Sequence, residues 1–178
     1  MRKSPCSKKP GSLKSLSNLK PRFLKAHNEV RKIYGIAPLT WDQNLANYAQ
    51  AWANELKSRY NCGLYHRQSV GRSEGQSFGE NLASNSTTQK LAASAFASSP
   101  DYATYAWSGE CSNYSYASNS CASGKQCGHL TQVIWQKTKK VGCGVAVCQG
   151  PTFRTEVWVC NYDPPGNVTF NGVKQRPY

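Results

Sequence analysis

The sequence predicts an α+β layered domain, and three observations carry that prediction. Apolar residues recur at helical spacing between Phe23 and Leu56, and β-type apolar and alternating runs fill the stretch from Leu130 to Tyr162. Eight cysteines, at positions 6, 62, 111, 121, 127, 143, 148 and 160, supply material for cross-links. Helices first and an antiparallel sheet later are the order expected of layers that segregate the two element types.

Each element follows from its own pattern. Residues 1–18 are rich in Lys, Ser, Pro and Gly and read as a basic tail, with a single domain over 19–178. Phe23, Ala26, Val30 and Ile33 mark a first helix, which Gly35 ends. Leu45, Tyr48, Ala49, Trp52, Ala53 and Leu56 form the best helical stripe in the chain, a core face. Residues 61–80 and Ser84 to Thr88 read as loops on either side of Gly79-Glu80-Asn81-Leu82-Ala83, and residues 89–97 and 100–109 as short helices. The stretch 111–127, rich in Ser, Asn, Gly and Cys, reads as irregular and clamped by cystine. Three strands are expected at Leu130–Trp135, Val141–Cys148 and Thr155–Tyr162, with Gly142, Gly144 and Gly150 at bends and a hairpin. Pro164-Pro165-Gly166 ends the last of them.

Composition narrows the function classes. No run of about 18 apolar residues exists, which excludes a membrane-spanning helix. No apolar core follows Met1 either, so a signal peptide is expected to be missing from this chain. The cysteines lack paired CxxC spacing, and Cys143-x4-Cys148 is loose for a zinc knuckle, so disulfides in an oxidising compartment are expected. Three glycosylation triplets, at Asn85, Asn113 and Asn167, also fit a secreted chain. With 22 Lys and Arg against 9 Asp and Glu, the net charge is +13. Eight cations precede the first acidic residue, Glu29, and they point to an anionic membrane surface or acidic polysaccharide. Nucleic acid is not expected, since no recognition motif is present.

Chemistry-bearing side chains are few. The histidines are His27, His66 and His129, and Glu80 and Glu110 sit beside glycines. Imidazoles and carboxylates bind divalent metal or move protons near neutral pH, but spacing alone does not bring these groups together. Gly71-Arg72-Ser73-Glu74-Gly75 satisfies G-x-S-x-G, yet its polar flanks lack the strand and helix that a nucleophile elbow needs.

Four motifs add a resemblance. Gly128-His129-Leu130-Thr131-Gln132-Val133-Ile134-Trp135 and Cys160-Asn161-Tyr162-Asp163-Pro164-Pro165-Gly166-Asn167 resemble the two signatures of the CAP superfamily. That superfamily covers cysteine-rich secretory proteins, antigen 5 and pathogenesis-related type-one proteins. His27-Asn28-Glu29-Val30-Arg31 and Gly79-Glu80-Asn81-Leu82-Ala83 are similar to two further family motifs, and the Glu110-to-His129 interval and Gln175-Arg176-Pro177-Tyr178 resemble the plant-type branch.

The resemblance implies a disulfide-stabilised α–β–α sandwich around a central antiparallel sheet. It implies a cleft holding His66, Glu80, Glu110 and His129, able to bind a divalent metal such as zinc, with His27 in a structural role. It implies the pairs Cys62–Cys148, Cys121–Cys127 and Cys143–Cys160, and leaves Cys6 to bond Cys111. It further implies a secreted, non-enzymatic binder of sterol or a fatty-acid-like lipid, linked to defence or host–microbe interaction. Tyr102, Tyr105, Trp107, Tyr114 and Tyr116 are the candidate lipid-contacting residues. Two alternatives stay open: a zinc-dependent extracellular hydrolase, and a precursor that releases a signalling peptide from Pro164 to Tyr178. The run from Val168 to Lys174 is longer than the usual form of that peptide.

Overall fold

The structure, a computed structural model, describes residues 19–67, 78–89, 91, 96 and 98–178. The basic tail, Cys6 and the G-x-S-x-G run lie outside the described residues. So does most of the helix expected over 89–97.

Helix α1 (Leu19–Ile33) buries Phe23, Ala26, His27, Val30 and Arg31, a single face at i, i+3, i+4, i+7 and i+8. It ends as the sequence predicts. Gly35, at φ +71, lets its N–H bond Lys32 O at 3.1 Å while Ile36 N bonds Arg31 O at 3.0 Å, so the last carbonyls are not left bare. Helix α2 (Gln43–Tyr60) starts at Asp42, whose carboxylate accepts from Asn44 N and Leu45 N at 2.9 and 3.0 Å. Its buried face is Leu45, Ala46, Ala49, Trp52, Ala53 and Leu56, while the expected core residue Tyr48 is only half-buried.

The central sheet has the order β1-β5-β6-β2, from β1 (Thr40–Trp41), β2 (Gly79–Thr87), β5 (Lys140–Gln149) and β6 (Arg154–Asp163). β6 runs antiparallel to both β5 and β2, but β1 adds a two-residue parallel edge to β5, so the sheet is mixed rather than wholly antiparallel. Successive β6 side chains point to opposite faces. Trp158, Cys160 and Tyr162 join a core with Phe23 and Val30 of α1, Ala103 and Trp107 of α3 (Pro100–Ser108), and Leu130 and Val133 of α4 (Gly128–Val133). Val157 and Val159 join Ala49, Trp52, Ala53 and Leu56 of α2 in a second core. Two cores, one on each side of a shared sheet, make the expected three layers.

Three expectations are corrected. Leu130–Trp135 is not a strand: Leu130 to Val133 belong to α4, and Ile134 and Trp135 follow in the turn after it. A short apolar run has no periodicity of its own, and burial of Leu130, Val133 and Ile134 in the core shared with α1 and α3 decides it. Ser84 to Thr87 continue β2, because β6 offers paired backbone from Val157 back to Arg154. Gly142 and Gly144 mark close approach, not bends: a Cβ on Gly142 would stand 2.1 Å from Ala46 N, and one on Gly144 2.5 Å from Gln50 Cα, so α2 lies directly on β5. The stretch 111–127 carries a small ladder of β3 (Tyr114–Ser115) with β4 (Ser120–Cys121). A further hairpin, β7 (Thr169–Phe170) with β8 (Val173–Lys174), follows β6.

The cysteines pair as Cys62–Cys148, Cys121–Cys127 and Cys143–Cys160, the last between residues directly opposite on β5 and β6. Cys111 is disulfide-bonded too, and its expected partner Cys6 lies outside the described residues.

Two motif residues lock the layers. The buried Arg31 guanidinium donates to the carbonyls of Ala37, Val133, Trp135 and Thr138 at 2.7 to 3.2 Å, holding the α4–β5 connection against α1. His27, fully buried, places Nδ1 2.8 Å from Phe23 O and Nε2 2.8 Å from the Tyr162 hydroxyl. Burial drives its pKa down to about 4, so the ring is neutral, with Nδ1 donating and Nε2 accepting.

Candidate functional site

Glu80 stands near the start of β2, opposite Asn161 of β6. Its carboxylate is nearly inaccessible, at 1% exposure, and is fully engaged. Oε1 meets His66 Nδ1 at 2.9 Å and accepts from Arg67 N at 3.2 Å, while Oε2 accepts from Asn161 Nδ2 at 3.3 Å. The hydrogen bond that His66 donates to Glu80 raises the His66 pKa above the usual imidazole value against the opposing effect of burial. His66 itself is largely open to solvent.

Glu110 lies in a 3-10 turn, Gly109–Ser112, that continues α3. Its Oε2 accepts from the backbone of His129 and Leu130, both at 3.0 Å, and its Oε1 meets His129 Nδ1 at 2.6 Å. Helix α4 has no side-chain cap of its own, since Cys127 occupies that position. Glu110 therefore caps α4 from another segment, with its negative charge at the positive end of the helix. The His129 ring stacks on Trp107, 6.4 Å between centroids and 15° from parallel, and Trp107 Nε1 donates to Leu82 O at 2.9 Å.

The structure thus joins the four predicted residues as two His–Glu pairs. Among the described residues, no three His, Cys, Asp or Glu side chains converge closely enough to hold a metal ion. Asn81 links the pairs: adjacent to Glu80 in sequence, it donates through Nδ2 to His129 O at 3.0 Å and to the Tyr162 hydroxyl at 3.3 Å. Sequence reasoning missed Asn81, Asn161 and Arg67 as members of this network. The two asparagines lie inside the quoted motifs, so the signal was present; Arg67, whose guanidinium sits 4.1 Å over the Tyr48 ring, carried none.

The five aromatic candidates do not share one slot. Trp107 is core wall, and Tyr105 ties α3 to α1 by donating to Glu29 Oε2 at 2.7 Å. Tyr102 is half-buried on α3. Tyr114 and Tyr116 instead belong to an aromatic cluster built on the β3–β4 hairpin. Tyr116 stacks on Tyr178 at 4.5 Å and 17°, Tyr178 packs against Tyr34 at 5.6 Å, and Arg176 lies 5.0 Å over the Tyr116 ring. The Tyr116 hydroxyl donates to Tyr178 O, and the Tyr114 hydroxyl donates to Asn119 Oδ1 at 2.8 Å. Burial raises the Tyr114 and Tyr178 pKa values, so both phenols stay neutral. Among the described residues, clefts of about 310 Å³ are lined by other residues.

The C-terminal segment is built into this region. Thr138 Oγ1 donates to Pro164 O at 2.8 Å, Gly166 N donates to Gln132 Oε1 at 2.8 Å, and Gln136 N donates to Pro177 O at 2.7 Å.

Comparison with known proteins agrees with this geometry. Residues 24–162 match the model of the cysteine-rich secretory protein family, CAP. Pathogenesis-related protein 1A1 of Solanum lycopersicum is 42% identical over 150 residues, covering 84% of this chain and 73% of that protein. Pathogenesis-related protein PR-1 of Medicago truncatula is 41% identical over 169 residues, covering 94% and 83%. Among solved structures, Schistosoma mansoni venom allergen-like protein 4 superposes with a TM-score of 0.64 at 22% identity, covering 90% of this chain and 96% of that one. NaASP2, solved with Zn2+, superposes with a TM-score of 0.60 at 20% identity, covering 94% and 90%. Two helical layers around one sheet, the family match over residues 24–162 and the plant relatives lead to the same conclusion: the chain belongs to the cysteine-rich secretory protein (CAP) family, in the company of plant pathogenesis-related proteins.

Proposed function

We propose that this protein is a secreted, non-enzymatic binder of sterol or a similar small lipid, acting in defence as the names of its plant relatives suggest. The observation that carries the reading is the tyrosine cluster. Tyr114, Tyr116, Tyr178 and Tyr34 gather aromatic ring surface and phenol hydroxyls at one partly exposed surface. A sterol has a flat apolar ring system and one hydroxyl, which such a surface matches by stacking and one hydrogen bond. The basic tail adds attraction toward an anionic membrane or acidic polysaccharide, each cation contributing about 1 kcal/mol near a charged lipid surface.

A binder is favoured over a hydrolase because both carboxylates are committed. Glu80 and Glu110 accept backbone or amide N–H bonds and orient a histidine each, so neither is left as a free base. A second reading, divalent metal such as zinc, rests on those same pairs. Each imidazole uses Nδ1 on a carboxylate, which is how outer carboxylates orient ligating histidines. His66 and His129 would supply Nε2, with Glu80 and Glu110 behind them, and the metal would supply Lewis acidity.

The test is saturable binding of a labelled sterol to delipidated protein, with and without excess Zn2+. Micromolar binding, about −8 kcal/mol, is expected, with about a tenfold loss in Tyr116→Ala. No saturable binding, or full binding by that variant, overturns the assignment to the cluster.

A further inference from the structure

The β7–β8 hairpin lies outside every motif and both cores. Its register sets Phe170 opposite Val173 and Thr169 opposite Lys174. Opposed residues share a face and alternate residues return to it, so Val168, Phe170 and Val173 lie on one face and Thr169 and Lys174 on the other. That apolar face is bare: Phe170 is 68% exposed, Val173 63% and Val168 37%. Phe170 and Val173 flank the turn and Val168 follows on the same face toward the base, which is not the scattered exposure normal for a surface.

The element is also held in shape. Its two-residue turn, Asn171-Gly172, has both residues at positive φ, 48° and 77°, the turn whose twist suits a tight hairpin. Gln175 N donates to Val168 O at 3.0 Å, closing its base. Asn119 Nδ2 donates to Lys174 O at 2.9 Å, and Asn167 Nδ2 donates to Gly128 O at 2.8 Å, fixing it to the β3–β4 hairpin and to α4. An isolated two-stranded ribbon is marginal in water, so these ties are what present the apolar face.

Its surroundings are cationic. From Cys111 to Thr155, and again from Pro164 to Tyr178, the chain contains no Asp or Glu. Lys125, Lys137, Lys174 and Arg176, in or beside the segments that brace the hairpin, are all exposed. Exposed apolar side chains in a stretch of chain that carries exposed cations and no carboxylate side chain match the boundary between acyl chains and anionic headgroups.

We infer that the β7–β8 hairpin is a membrane-inserting finger that seats Phe170, Val173 and Val168 in the headgroup–acyl boundary of an anionic phospholipid bilayer. The inference rests on the reading that the protein meets an anionic membrane and names the element that enters it. Asn119 couples the finger to the tyrosine cluster through its bonds to Lys174 and Tyr114, so insertion would hold that cluster at the surface where membrane sterols reside.

The experiment is vesicle flotation of the full chain with phosphatidylcholine alone and with added phosphatidylserine, at low and high salt. Phe170→Ser/Val173→Ser should weaken binding to the phosphatidylserine vesicles about tenfold. Binding of cyclodextrin-delivered sterol without vesicles should be unchanged. Phe170→Trp should retain binding and gain quenching by bromine-labelled acyl chains. Wild-type binding that salt abolishes and the double variant leaves intact would leave charge alone as the attachment and overturn the finger. No vesicle binding by the wild type would overturn the membrane reading with it. A wild-type dimer that the double variant loses, without vesicle binding, would make the face a protein interface and equally refute insertion.

Discussion

Glu110→Ala isolates the role of one carboxylate in both fold and site. The substitution removes the acceptor for two backbone N–H groups, of His129 and Leu130, and the partner of the His129 ring. Loss of a helix N-cap costs about 0.5–2 kcal/mol. A hydrogen bond to a charged group contributes about 1.5–3 kcal/mol, and the Glu110 side chain is 13% exposed, so water only partly replaces it. Because the two N–H groups share one cap, these contributions overlap, and a total of about 2–3 kcal/mol follows. For a domain of this size that is about 5–10 °C in Tm. Thermal unfolding followed by circular dichroism, with urea titration to fix the slope, measures it. Glu110→Gln keeps a neutral acceptor and should lose about half as much. A shift below about 1 °C for Glu110→Ala would refute the cap, and equal losses for both variants would refute the importance of the acceptor oxygen.

Two further outcomes follow from the core. His27 has its folded pKa lowered to about 4 from 6.5, so the unfolded chain takes up the proton first as pH falls. Its stabilising contribution is complete above pH 6.5 and declines toward pH 4; urea midpoints for His27→Gln that track the wild type across this window would disprove the neutral buried ring. Gly142→Ala places a methyl 2.1 Å from Ala46 N and 2.5 Å from Leu45 C, both backbone atoms that α2 cannot move singly. It should cost about 3 kcal/mol or more, read as a lower urea midpoint, and a neutral result would mean that α2 does not lie on β5 as described.

Much of this protein was legible because the relevant signal was local. The α2 stripe from Leu45 to Leu56 needed only its own period, and the alternation of Val157, Trp158, Val159 and Cys160 assigned β6 side chains to two cores. Gly35 as the end of α1 followed from its freedom at positive φ. Polar Ser84 to Thr87 hid a strand, because pairing with β6 is a long-range event that leaves no apolar alternation on an exposed edge. Leu130 to Trp135 carries no period that separates the two states, since six apolar-rich residues fit a strand or a buried helical turn equally.

The sequence by itself determined the family, the layered α+β class, the faces of the long helices and the identities of the His and Glu residues. Only the tertiary structure decided how those groups meet. Glu110 reaches His129 and Leu130 across 19 and 20 residues, His66 reaches Glu80 across 14, and Tyr116 meets Tyr178 across 62. Periodicity reports only which side of an element a residue faces, whereas pairing across such gaps depends on how the helices and hairpins dock on the sheet. For that reason the four expected cleft residues resolve into two hydrogen-bonded His–Glu pairs, and a plain C-terminal run becomes both a clasp on the tyrosine cluster and an exposed apolar hairpin.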